Sequence, residues 1–124
     1  MVMRLSLAIL ASGLIPAIAM AAPASEVGYP AGSLAVHSIQ NGDYTAAERV
    51  LAPVSRDDAS DPARLVNIAM VYARTGRLAE ARDALAMVTQ APDETLTLSD
   101  GRDVSSRTIA ANLLRSLDAR YAAR

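Results

Sequence analysis

The chain has 124 residues, is 52% hydrophobic and carries a formal net charge of −1. It has no Cys, Trp, Phe or Lys, and its Arg residues are interspersed with the acids. This composition permits an aliphatic core, excludes disulfides, thiolate metal sites and Cys nucleophiles, and offers no basic stripe of the kind that neutralises nucleic-acid phosphates.

The first residues form a tripartite pattern. Arg4 precedes an apolar run from Leu5 to Ile15; Pro16 follows, and then the small residues Ala19-Met20-Ala21. A positive start, a short apolar core and a small-x-small end are the features of a secretory signal. Residues 1–21 are therefore expected to be a signal peptide cleaved before Ala22, with Ala17-Ile18-Ala19 as the other frame. The apolar core is shorter than the ~20 residues of a spanning helix, so no membrane insertion is expected after cleavage. The protein is expected in the periplasm or outside the cell. Residues 22–28 read as a flexible leader.

Ala and Leu dominate the remainder, and both are strong helix formers. An all-α fold is the expectation. Residues 29–61 contain helical stretches from about Gly32 to Asn41 and from Tyr44 to about Ala52. Gly42 ends the first and Asp43 caps the second. Pro53 falls in the last turn of the second stretch, where it truncates or kinks a helix. Asp57, Asp58, Ser60 and Asp61 form a polar link. In residues 62–94, Asp61 caps and Pro62 occupies the first turn, where its missing N–H costs nothing. Ala63 to Thr75 and Leu78 to Gln90 are the expected helices, separated by Gly76 and ended by Pro92.

These two segments repeat. Gly42 matches Gly76, Ala47 matches Ala81, Leu51 matches Leu85 and Val54 matches Val88; upstream, Leu34 matches Ile68 and Ala35 matches Ala69. One offset relates every pair, at a period of about 34 residues. The glycines suit a left-handed residue past a helix end, the alanines allow close helix approach, and the larger residues fill the space between helices.

From Thr95 to Val104 the texture changes. Leu-Thr-Leu-Ser precedes Asp100-Gly101, a hairpin turn signal, so residues 95–104 are a loop or a short β-hairpin. Ser106 reads as the cap of a last helix within 105–124. Ile109, Leu113, Leu117 and Tyr121 give it one apolar stripe. Two repeats are fewer than the three usually needed for stability, so this helix is expected to cover the second hairpin. The alternative is that its stripe pairs with a second copy, making the protein a self-associating structural subunit and a possible homodimer.

Leu65, Ile68, Ala69, Tyr72, Gly76, Ala81 and Leu85 carry a resemblance to the tetratricopeptide-repeat family, which extends over about residues 29–95. Ser38 departs from it, standing where the family has Tyr. The resemblance implies a short α-solenoid of two helical hairpins and a non-enzymatic module that binds a protein partner in a concave groove. The family's groove positions correspond to Val36, Ile39 and Gln40 in the first copy and to Val66, Asn67, Met70 and Arg74 in the second. The implied groove is mainly apolar, with Asn67 and Arg74 as polar anchors.

Catalytic chemistry has little footing in the residues. His37 is the one histidine, and a lone helical His is usually a partly buried structural residue. There is no Gly-rich phosphate loop and no nucleophile elbow. No cofactor, metal site or catalytic residue is expected. A small secreted hydrolase using His37 and a serine is the remote alternative.

Overall fold

The structure is a computed structural model that describes residues 22–52 and 56–122, with side chains as far as Arg120. The expected signal segment, Pro53 and the side chain of Tyr121 lie outside the described residues. Among the described residues, six helices and one hairpin follow in order: α1 (Val36–Gln40), α2 (Tyr44–Leu51), α3 (Arg56–Ser60), α4 (Pro62–Arg74), α5 (Leu78–Gln90), β1 (Thr95–Thr97), β2 (Asp103–Ser105) and α6 (Ser106–Ala122).

The second hairpin is the centre of the molecule. Asp61 accepts a hydrogen bond from the Ala63 N–H (3.1 Å), Pro62 takes the first turn, and α4 begins there. At the far end Gly76 sits at φ 78° and turns the chain into α5. No atom stands within 4 Å of where a Cβ on Gly76 would lie. Gly76→Val should therefore destabilise through backbone strain alone, by about 1–2 kcal/mol. Thermal unfolding of the variant checks this; an unchanged midpoint would mean that the turn tolerates another conformation. Leu65, Ile68 and Ala69 on α4, with Ala81, Leu85 and Val88 on α5, belong to one buried core.

The first hairpin is abbreviated. A helix was expected from Gly32, but α1 begins at Val36. Residues 31–34 form turns, and Ala35 is left-handed at φ 55°. A left-handed residue interrupts the helical ladder. Gly32 is left-handed as well, at φ 83°, and the Glu26 carboxylate accepts from the Gly32 and Leu34 N–H groups (2.6 and 3.2 Å) in this non-helical turn. α2 is closer to expectation. Asp43 caps it by accepting from the Ala46 N–H (3.1 Å). It ends at Leu51, because Ala52 precedes Pro53 and has the extended ψ of 124° that such a position favours. The polar link contains the short helix α3.

Arg77 joins the two repeats. Its guanidinium pairs with Glu48 of α2 and Glu80 of α5, each at 2.7 Å, and lies 4.3 Å from the Tyr72 ring centroid. These hydrogen-bonded pairings raise its pKa and hold Glu80 below the usual carboxylate range.

The segment after α5 is the expected short hairpin. Thr95 pairs with Ser105, Leu96 with Val104 and Thr97 with Asp103, and Gly101 is left-handed in the turn. The cap of α6 is one residue earlier than expected: the Ser105 hydroxyl accepts from the Thr108 N–H (3.3 Å). Asp93 supports it, accepting from the Ser105 and Ser106 hydroxyls and from the Arg107 N–H. The Ser105 bond, followed by the Arg107 N–H, lowers the Asp93 pKa. Ser106 is fully buried and its hydroxyl accepts from the Glu94 N–H (3.0 Å). α6 then packs along α5 and, less extensively, α4. Ile109, Ala110 and Leu117 are buried there, and an Arg82–Asp118 ion pair (2.6 Å) bridges α5 and α6. Among the described residues, no helix is long and apolar enough to cross a membrane.

Within the leader expected over residues 22–28, residues 23–25 are held by backbone bonds. The Ser25 N–H donates to the Thr97 carbonyl and the Ser99 N–H to the Pro23 carbonyl, both at 2.8 Å, with Ala24 bridged to Leu98. The free edge of β1 supplies backbone partners that a helix surface lacks. Ala24 is 1% exposed.

Candidate functional site

α4 positions the residues that the sequence places in the groove. Spacings of three and four put Val66, Met70 and Arg74 on one face, with Asn67 beside them. The structure closes most of that face. Val66 and Asn67 are fully buried, and Met70 and Ile39 nearly so. Asn67 holds this chain's own leader: its Oδ1 accepts from the Ala24 N–H (2.8 Å), and its Nδ2 donates to the carbonyls of Ala24 (3.1 Å) and Leu34 (2.9 Å). The amide that the resemblance assigned to a partner is occupied in this chain by backbone groups of Ala24 and Leu34. Met70 is core, so its truncation acts on stability before it acts on binding. Arg74 and Val36 are half-buried, and Gln40 is exposed. Val36 and Gln40 line a separate depression of about 320 Å³ with Glu26, His37 and Ser38. The seven expected groove residues therefore do not form one open surface.

His37 also differs from expectation. It is exposed, and its Nε2 lies 2.9 Å from Asn41 Nδ2. Among the described residues, no group of three His, Asp or Glu side chains is placed to hold a metal ion.

An open apolar surface lies elsewhere. Leu51 of α2, Asp58 and Ala59 of α3, Arg64, Leu65, Ile68 and Tyr72 of α4, and Glu80, Asp83, Ala84 and Met87 of α5 line a cleft of about 290 Å³. Leu51, Leu65, Ile68 and Ala84 are buried beneath it, whereas Met87 is 45% exposed. Arg64 reaches across one end and donates to the Val50 carbonyl (3.0 Å). The cleft lies among residues of α2, α3, α4 and α5. Sequence reading assigned Leu51 and Ile68 to packing, used Leu65 and Tyr72 as positions of the family resemblance and gave Met87 no role. The available signal was Met87 itself, a large apolar residue in the same helical row as the polar Glu80 and Asp83.

Residues 38–95, just under half of the chain, match a family model described as tetratricopeptide repeat. The match supports the tetratricopeptide-repeat family for this segment. No curated protein and no solved structure matches the chain. Tetratricopeptide repeats are protein–protein interaction modules and are typically not catalytic. Around the repeat, the extended segment 23–25 and α6 pack on the described residues, and the α2–α5 cleft is an open apolar surface among them.

Proposed function

We propose that the protein is an exported adaptor: it is freed of residues 1–21, works in the periplasm or outside the cell, and holds a segment of an envelope or secreted protein. One observation carries the binding part of this reading. The repeat module presents an open apolar cleft with a half-exposed Met87 at its mouth. Met suits a recognition surface because it is flexible and polarisable and repacks around different ligands. The inner face is less suited, because binding there requires displacement of the leader from Asn67.

The self-associating alternative relies on a free stripe on α6. Ile109 and Leu117 of that stripe are already buried within one chain, so the adaptor reading is preferred. A secreted hydrolase gains no support from His37, whose exposed ring on α1 lies beside Asn41.

Two measurements test the proposal. Intact-mass analysis of the exported protein should show a chain beginning at Ala22; a membrane-bound product retaining Met1 would overturn the localisation. Capture of partners from an envelope extract should be lost with Met87→Asp while the helical circular dichroism and melting temperature remain close to wild type. Normal capture by that variant would remove the cleft from the function.

A further inference from the structure

We propose that docking of the leader closes the Ala21–Ala22 bond to processing, so that the chain is cut before the leader docks. This rests on the reading of residues 1–21 as a cleaved signal and adds an order of events to it.

Cleavage hydrolyses the Ala21–Ala22 amide. The C–N bond breaks, water gives its hydroxyl to the Ala21 carbonyl carbon, and a proton goes to the Ala22 nitrogen. A peptidase that does this holds its substrate as an extended strand, recognised through main-chain hydrogen bonds on both sides of the bond. The residues that it holds on the far side are Ala22, Pro23 and Ala24. The fold has already claimed them. Pro23 is buried and Ala24 is 1% exposed. Ala22 is half-buried and lines a depression of about 180 Å³ with Leu98, Ile109 and Leu113.

The backbone of this stretch is claimed on both edges. Toward β1, the Pro23 carbonyl accepts from the Ser99 N–H and the Ser25 N–H donates to the Thr97 carbonyl, both at 2.8 Å. Toward α4, the Ala24 N–H donates to Asn67 Oδ1 (2.8 Å) and the Ala24 carbonyl accepts from Asn67 Nδ2 (3.1 Å). Successive residues of an extended chain turn their N–H and C=O groups to opposite edges. One edge therefore belongs to β1 and the other to a single buried amide. A peptidase can pair with either edge only after its present partner lets go, and burial of Pro23 and Ala24 requires both to let go together.

The test uses the full chain in detergent micelles with a signal peptidase, and the product is read by intact mass. Diluted from urea directly into the peptidase, the chain should be cut before Ala22. Folded first, with its helical circular dichroism established, it should be cut at that bond at least about tenfold more slowly, because cutting of a folded chain tracks the population of its open form. Two variants open the leader and leave the sequence around the bond unchanged. Asn67→Ala removes the clamp on one edge, and Ser99→Pro removes an N–H from the other. Each should restore most of the lost rate to the folded chain. Leu85→Ala loosens the core at a residue outside the leader's bonds and should restore much less. Equal rates for the folded and the unfolded wild type would overturn the proposal and leave the signal reading standing. Asn67→Ala and Ser99→Pro chains cut no faster than the Leu85→Ala chain would overturn it as well, since the protection would then belong to the fold at large. If the unfolded chain is not cut before Ala22 either, the signal reading fails and this inference falls with it.

Discussion

Asn67→Ala should destabilise the protein by about 3–5 kcal/mol. The Asn67 side chain is fully buried and satisfies three backbone groups, the Ala24 N–H and the carbonyls of Ala24 and Leu34. Truncation leaves all three without that partner, and a buried group left unsatisfied costs about 1–3 kcal/mol. Release of the leader into water limits the total, because Ala24 can then hydrate. A loss of this size is a large part of the 5–15 kcal/mol that holds a typical domain together. Equilibrium unfolding in urea gives the value. Ala24→Asp should produce a similar loss by placing a charge at a position that is 1% exposed. The double variant should cost much less than the sum, since both substitutions release the same strand. Additive effects would show that Asn67 stabilises α4 independently of the leader, and a cost below about 0.5 kcal/mol for Asn67→Ala, the size of an ordinary surface change, would refute the clamp.

Leu85→Ala should cost about 2–5 kcal/mol, the range for emptying a well-packed leucine site. Leu85 is 1% exposed on α5, the helix that packs against both α4 and α6. The surrounding helices are held at their ends by Gly76, by the Asp93 cap network and by the Arg82–Asp118 pair, so the cavity has little means of collapse. Met87→Ala, two residues along the same helix, provides the contrast. Met87 is 45% exposed, and its truncation should change stability by no more than about 0.5 kcal/mol. Parallel thermal and denaturant unfolding of the two variants measures the difference between the core face and the cleft face of α5. Equal effects would mean that α5 does not present Leu85 to the core and Met87 to the cleft.

The two substitutions on α5 also indicate which features are readable along a chain. Leu85 was recognisable as core from its match to Leu51 and its helical spacing from Ala81. Met87 was not recognisable as a surface, because exposure depends on what α2 and α3 leave uncovered. Asn67 shows the same limit on α4. Its position on the inner face followed from helical spacing, and its capacity to hold backbone followed from amide chemistry. Its ligand did not, because Ala24 is 43 residues away in sequence. The left-handed turn at Ala35 was equally hidden, because Ala and Leu favour helix locally and a left-handed Ala is not signalled by its residue type.

Local chemistry in the sequence alone therefore determined the helical class, the 34-residue repeat, the caps at Asp43 and Asp61, the left-handed glycines 42 and 76, the Asp100-Gly101 turn and the apolar stripe of α6. Each depends on residues a few positions apart, or on one pattern recurring at a fixed interval. Tertiary structure decided the shortening of α1, the docking of the leader on β1, the closure of the inner face around Asn67 and the opening of the cleft above Ile68 and Met87. Those outcomes depend on which distant segments reach a given polar group or apolar face first, and a linear pattern does not encode that competition.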